Sequence, residues 1–227
     1  MVASITAPRR GGGALSWSLM ASSHRAALAH LRRVDPTLGE IIARVGSPPP
    51  RPRRSGTHYD ALLLAIIYQQ LSGKAAGTIH RRFCALYPNK RPRAELVLTS
   101  TDEALRGAGL SRQKIGYLRD LSARVADGSL PLAHLGRLPD DAIIEHLIRV
   151  KGIGRWTVQM FLMFRLGRPD VLPELDLGIQ NAIQRAYGLT KRPSPKDVLR
   201  LGEKWRPHAT TACWYMWRSL ENGDGQG

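Results

Sequence analysis

Cysteine is nearly missing from this chain. The two present, Cys84 and Cys213, form no CxxC pair, and neither lies near a pair of histidines. That excludes the usual zinc and iron–sulfur signatures. Free thiols suit a reducing cytosol. Long apolar runs are missing as well. The longest, residues 61–68, falls far short of a bilayer span. Near the amino end, Arg9-Arg10 precedes only a weak apolar patch at 14–20, so a signal peptide is not expected. Strict two-residue alternation is absent too, which argues against strands. Acid is scarce: 18 Asp and Glu stand against 34 Lys and Arg, a formal net charge of +16. Such a balance speaks to partners rather than fold. Nucleic acid, an acidic membrane surface or an acidic protein all fit, and an Arg-rich compositional bias would give the same number.

What is present is helical periodicity. Residues 1–20 read as a disordered leader, with Gly11-Gly12-Gly13 after two arginines. A helix fits from Ser23, with Ala27, Leu28, Leu31 and Val34 on one face. Asp35-Pro36 breaks it, and Leu38, Ile41, Ile42 and Val45 resume the pattern. Residues 47–56 (SPPPRPRRSG) form a basic, proline-rich loop. Further helices are expected at 59–70, 74–87 and 101–107, and after Ser111, which caps a helix turning Ile115, Leu118, Leu121 and Val125 inward. Another opens at Pro139-Asp140, with Ile143, Ile144, Leu147 and Ile148 on one face. Segments 155–166, 176–187, 195–204 and 208–220 complete an all-α chain of about nine or ten helices.

One junction stands apart. In VKGIGRWTVQMFLMF (150–164), two glycines in three residues stop one helix and a new apolar helix begins at once. A turn this tight needs glycine where φ is positive or where another chain comes close. The free N–H groups opening the second helix make an anion site, to which Lys151 and Arg155 add charge. A DNA phosphate lying there would be positioned without its sequence being read. An ordinary helix–helix turn has the same sequence, and GxG alone does not separate the two.

Three more stretches join this one: AIIYQQLSGKAAGTIHRRF (65–83), LRGAGLSRQKIGYLRDL (105–121) and EKWRPHATTACWYMWR (203–218). With LIRVKGIGRWTVQMFLMF and GRPDVLPELDLGIQNAI, their order and spacing over residues 24–220 resemble the helix–hairpin–helix DNA glycosylases. More narrowly they resemble the 3-methyladenine DNA glycosylase II family. The resemblance implies two helical subdomains with the active-site cleft between them. It implies one glycosylase domain over residues 21–227, its hairpin at about 143–165, without the amino-terminal β-domain of some relatives. The activity implied is hydrolysis of the N-glycosidic bond of alkylated purines, 3-methyladenine and 7-methylguanine, in duplex DNA.

Site residues follow by the same route. Asp176, read alone, is a helix N-cap; the resemblance makes it the catalytic carboxylate, in the setting Asp176-Leu177-Gly178-Ile179. Many relatives carry two adjacent aspartates where this chain has Leu175-Asp176. Glu174, two places before Asp176, fits either a helper of that carboxylate or, more simply, surface charge, and is read as surface. Trp156 and Trp217 are placed beside the base pocket to stack a flipped, cationic purine, with Met160 one turn beyond Trp156 on the same wall. Trp205 and Trp214 read as core. The break after Gln69 resembles a wedge loop, with Leu71 filling the hole left by the flipped base and Gln70 near its partner; Leu71 fits a core position equally well. Lys151, Gly152, Ile153, Gly154, Arg155 and Thr157 form the implied DNA-backbone hairpin, whose carbonyls hold a monovalent cation in some relatives.

Strand-cutting relatives carry a lysine nucleophile directly after the hairpin arginine, where this chain has Trp156, so a monofunctional enzyme is expected. Ser111-Arg112-Gln113-Lys114 is a basic helix start that fits a phosphate contact or, more simply, a solvated face, and His80, His134, His146 and His208 have no partners at ligand spacing. No cofactor is needed for the implied chemistry. A monomer without membrane attachment is expected, in the bacterial cytoplasm with the nucleoid. Two other functions remain open: a glycosylase for deaminated or oxidised bases, and a non-catalytic module that binds damaged DNA.

Overall fold

Side chains that accept hydrogen bonds from their own backbone two or three residues on set most boundaries in this fold. The computed structural model describes residues 13–46 and 56–221, the side chains from residue 24 onward in the first stretch. Among them are twelve α-helices: α1 (Gly13–Val34), α2 (Pro36–Val45), α3 (His58–Tyr68), α4 (Gly73–Ala85), α5 (Ala94–Thr99), α6 (Asp102–Gly107), α7 (Arg112–Ala126), α8 (Asp140–Leu147), α9 (Arg155–Phe161), α10 (Leu177–Ala186), α11 (Pro195–Gly202) and α12 (Ala209–Glu221). No strand occurs among the described residues. The all-α expectation holds, with more helices than counted from the sequence. The added element is α5, only six residues long and bounded by Arg93 and Ser100. The leader also needs correction. Residues 13–20, given to disorder, lie in α1; residues 1–12 and 47–55, the rest of the leader and most of the proline-rich loop, lie outside the described residues.

The chain divides into two compact units. The first takes its described residues from 13–46 and 176–221. Here Asp35 does more than break a helix. It caps α2, accepting from Leu38 N at 3.1 Å, and its side chain is almost wholly buried. Trp205 Nε1 donates to its carboxylate at 2.7 Å, the Tyr187 hydroxyl donates to the same oxygen, and Lys204 Nζ lies 3.1 Å away. Burial alone pushes the Asp35 carboxyl up, but these donors outweigh it and hold the group below its usual range. An acid with a depressed folded pKa stabilises the fold above the ordinary carboxylate range, and the contribution is lost as pH falls through the folded value. Asp35→Ala strands two buried donors, Leu38 N and Trp205 Nε1, and a part-buried one, the Tyr187 hydroxyl. A loss of about 3–5 kcal/mol in urea unfolding at neutral pH is expected, shrinking under acid conditions.

The second unit spans residues 50–175, described from 56. Its centre is α3, where Tyr59, Leu62, Leu63, Ile66 and Ile67 are buried. A capping box between Thr57 and Asp60 starts this helix. Ser111 caps α7 as expected, and Ile115, Leu118 and Leu121 are buried; Val125, in the last turn, is half-buried. On α8, Ile143, Ile144 and Leu147 are buried, whereas Ile148 lies outside the helix and is exposed. The apolar stretch from Arg155 stays helical, but it widens into a π turn (Leu162–Leu166) before Gly167 ends it with left-handed φ.

Candidate active site

Each unit carries part of the expected site. In the second, the hairpin joins α8 to α9. Val150 N donates to the Leu147 carbonyl and Ile153 N to the Val150 carbonyl, both at 3.1 Å. The two glycines serve different needs. Gly152 has φ of 79°, and a Cβ there would lie 2.1 Å from the Tyr117 ring. Gly154 caps α9 with φ of −92°, and a Cβ there would meet nothing within 4 Å. The first glycine is demanded by the fold, while the second leaves open space before α9. Ile153 is buried and anchors the turn.

Helix α7 braces the hairpin, which the sequence reading missed. Beyond Tyr117, the Asp120 carboxylate accepts from Lys151 N at 2.9 Å and pairs with Arg124 at 2.9 Å. Burial raises the Asp120 carboxyl, but these two partners outweigh it and hold it low. The spacing from Tyr117 to Asp120, one helical turn, is the signal that was available.

Arg155 and Glu174 require a correction. Glu174 is not surface charge: it is 8% exposed. Its Oε1 accepts from Arg155 Nε at 2.9 Å and its Oε2 from Gln159 Nε2 at 2.7 Å. Gln159 Nε2 also reaches the Leu172 carbonyl at 3.2 Å. The ion pair therefore ties the start of α9 to the segment before Asp176, and it takes up part of the charge that the sequence reading assigned to phosphate.

Trp156 is 42% exposed and Met160 half-buried. They share the wall of a cavity of about 550 Å³ with Thr157, Tyr68, Gln69, Gln70, Lys114 and Tyr117. Thr157 is buried, so its side chain belongs to this wall rather than to the outer face of the hairpin. Between α3 and α4, Leu71 is 39% exposed and does not occupy a core position. Gln70 beside it takes a left-handed φ of 59°. Lys114 departs from the solvated face expected of it. It is half-buried, its Nζ bonded to the Ile67 and Gln69 carbonyls at 2.6 and 2.7 Å. Burial lowers its pKa.

The first unit holds Asp176. It caps α10, its Oδ1 accepting from Ile179 N at 2.8 Å. The same oxygen accepts from Trp217 Nε1 at 2.9 Å. In the sequence Trp217 reads as a stacking ring; here its indole N–H also orients the carboxylate. Gly178 makes room for this pairing, since a Cβ there would lie 2.9 Å from Asp176 Oδ1 and 3.0 Å from Trp217. Trp205 is buried as expected, and Trp214 is half-buried. Cys84 and Cys213 are free thiols, and no group of three or more His, Cys, Asp or Glu side chains is placed to hold a metal among the described residues. No described helix is long and apolar enough to cross a membrane.

Comparison with known proteins identifies the family. The family model described as HhH-GPD superfamily base excision DNA repair protein matches residues 63–208. A putative DNA-3-methyladenine glycosylase of Bacillus subtilis is 36% identical over 169 residues, covering 72% of this chain and 59% of that protein. DNA-3-methyladenine glycosylase 1 of Schizosaccharomyces pombe is 35% identical over 86% of this chain and 87% of its own. A solved 3-methyladenine DNA glycosylase from Schizosaccharomyces pombe, in complex with abasic DNA, superposes with a TM-score of 0.79 at 34% identity, over 89% of this chain and all of that one. The family model spans more than half of the chain and the Schizosaccharomyces pombe relative matches over most of both lengths: the chain belongs to the HhH-GPD superfamily of base excision DNA repair proteins.

Proposed function

We propose that this protein is a monofunctional DNA glycosylase that releases alkylated purines, 3-methyladenine and 7-methylguanine, from duplex DNA. The observation that carries the reading is Asp176: a carboxylate fixed on one oxygen by a helix N-terminus and an indole N–H. It is supported by relatives named as 3-methyladenine glycosylases. An N3- or N7-alkylated purine is cationic and leaves as a neutral base without a strong general acid. Breaking the glycosidic bond leaves positive charge on the sugar, which the Asp176 anion stabilises. Water then adds at the sugar carbon, its proton passing to the carboxylate. Trp156 and Met160 line the cavity assigned to the flipped base, the hairpin amides grip the backbone and Leu71 enters the stack. Trp156 has no amine for a Schiff base, so the abasic strand stays intact.

The test is release of methylpurines from methylated duplex DNA, followed by strand analysis without alkali. Methylpurine release with uncut strands is expected, and affinity for the duplex falls steeply with salt. Release of only deaminated or oxidised bases from a lesion panel would reassign the substrate. Tight duplex binding with no release of any base would make the chain a damage-binding module.

A further inference from the structure

The turn after α3 and the glycine hairpin lie some eighty residues apart in sequence, yet hydrogen bonds join them. Gln69 Nε2 donates to the Gly152 carbonyl at 2.8 Å. Lys114, from the first turn of α7, donates to the carbonyls of Ile67 and Gln69 at 2.6 and 2.7 Å. Helix α3 ends at Tyr68, so these acceptors fall where helical carbonyls lose their partners. A cation there also meets the negative end of the helix dipole. The turn needs such a clamp. Gln70 has left-handed φ, which costs a non-glycine residue roughly 1–2 kcal/mol. Directly after it comes Leu71, an exposed hydrocarbon side chain in a polar turn.

We propose that Lys114 is a positioning residue, holding the Gln69–Leu71 turn against the hairpin so that Leu71 enters the duplex at a set distance from the gripped backbone. The inference rests on reading Leu71 as the wedge and the hairpin as the grip. Lys114 lines the cavity beside this turn, but its ammonium is bonded to two carbonyls, and its part here is played through them and through Gln69 rather than through a phosphate or a base. Of the cations in the Ser111–Lys114 run, it is the one withdrawn from solvent.

Lys114→Met keeps an unbranched side chain only one atom shorter and removes its donors. The probe is a duplex with 2-aminopurine beside a stable abasic-site analogue, whose fluorescence rises when the stack is opened. Duplex affinity is expected to stay within about threefold of wild type while the fluorescence rise falls about fivefold or more, and single-turnover base release slows about tenfold. Lys114→Arg retains donors and should restore most of the signal. Leu71→Ala supplies the reference, and adding Lys114→Met to it should cost nothing further, because both changes act on one event. A wild-type fluorescence rise in Lys114→Met would overturn the inference. So would a loss that merely tracks lower affinity and lower thermal stability, the mark of a structural role alone. Failure of the underlying reading looks different: Leu71→Ala itself would then leave the signal whole.

Discussion

Asp176→Asn is expected to abolish nearly all base release while leaving the fold and duplex binding in place. The argument is one of charge against shape. Asn ranks with Asp as an N-cap, and its side-chain oxygen accepts the Ile179 N–H and the Trp217 indole N–H as Asp176 Oδ1 does. Stability should therefore change by only a few tenths of a kcal/mol. What disappears is the negative charge that the proposed reaction sets against the developing sugar cation. At about 4 Å and an effective dielectric constant of about 20, a unit pair is worth roughly 4 kcal/mol, or about a thousandfold in rate. Single-turnover release of 7-methylguanine should fall by about 10²–10³-fold, with duplex affinity within about threefold. Trp217→Phe separates orientation from charge. It keeps an aromatic face and removes the N–H that holds Asp176 Oδ1, and a loss of about tenfold is expected. If Asp176→Asn released base at the wild-type rate, the carboxylate would be only a cap and the catalytic assignment would fall.

Most helices were legible because their caps are written locally. Ser72, Thr101, Ser111, Asp176 and Ser194 each accept a bond from a backbone N–H three residues on, a relation that sequence spacing displays directly. Helix α5 escaped notice for the same reason: Arg93 before it makes no side-chain cap, and six residues carry too little periodicity. The π turn after Phe161 escaped because five residues are too few for a change of period to show in the apolar pattern. In the site, residue types were readable and partners were not. Glu174 looked like surface charge because Arg155 and Gln159, which bury it, stand 19 and 15 residues upstream. Lys114 looked solvated because its acceptors are carbonyls more than 40 residues away. Trp217 suggested a ring to stack upon, and only the fold revealed its N–H meeting Asp176. Polar contacts over long sequence distances carry no periodicity, so a one-dimensional reading has nothing to detect them by.

The paired hairpin glycines give the second large effect, because they fail in different ways. Gly152→Ala forces a non-glycine residue to φ of 79° and drives its Cβ to 2.1 Å from Tyr117 Cδ2 and 2.5 Å from Cγ. Carbon atoms sit comfortably at about 3.5–4.0 Å, so ring or hairpin must move. The ring is poorly placed to yield. The contact is near its root on α7, and its hydroxyl accepts from Gln113 Nε2 at 2.6 Å. A shifted hairpin also breaks the Gln69 bond to the Gly152 carbonyl and strains that of Lys151 N to Asp120. Unfolding stability should drop by about 2–4 kcal/mol, with duplex affinity falling about tenfold or more and its salt dependence growing shallower. Gly154→Ala meets no such obstacle, since its φ is −92° and its Cβ would point into open space. It should cost only about 1 kcal/mol of stability, from the weaker N-cap. Its duplex affinity should nevertheless fall about as far as that of Gly152→Ala, because the methyl group stands where a phosphate would reach the amides of α9. Adding Tyr117→Ala to Gly152→Ala should recover part of the stability by removing the clash, though not the cost of the left-handed φ. Wild-type duplex affinity in Gly154→Ala would mean that the hairpin is a folding element alone. A binding defect in Gly154→Ala on an intact fold would mark the open side of the turn as the surface that meets DNA.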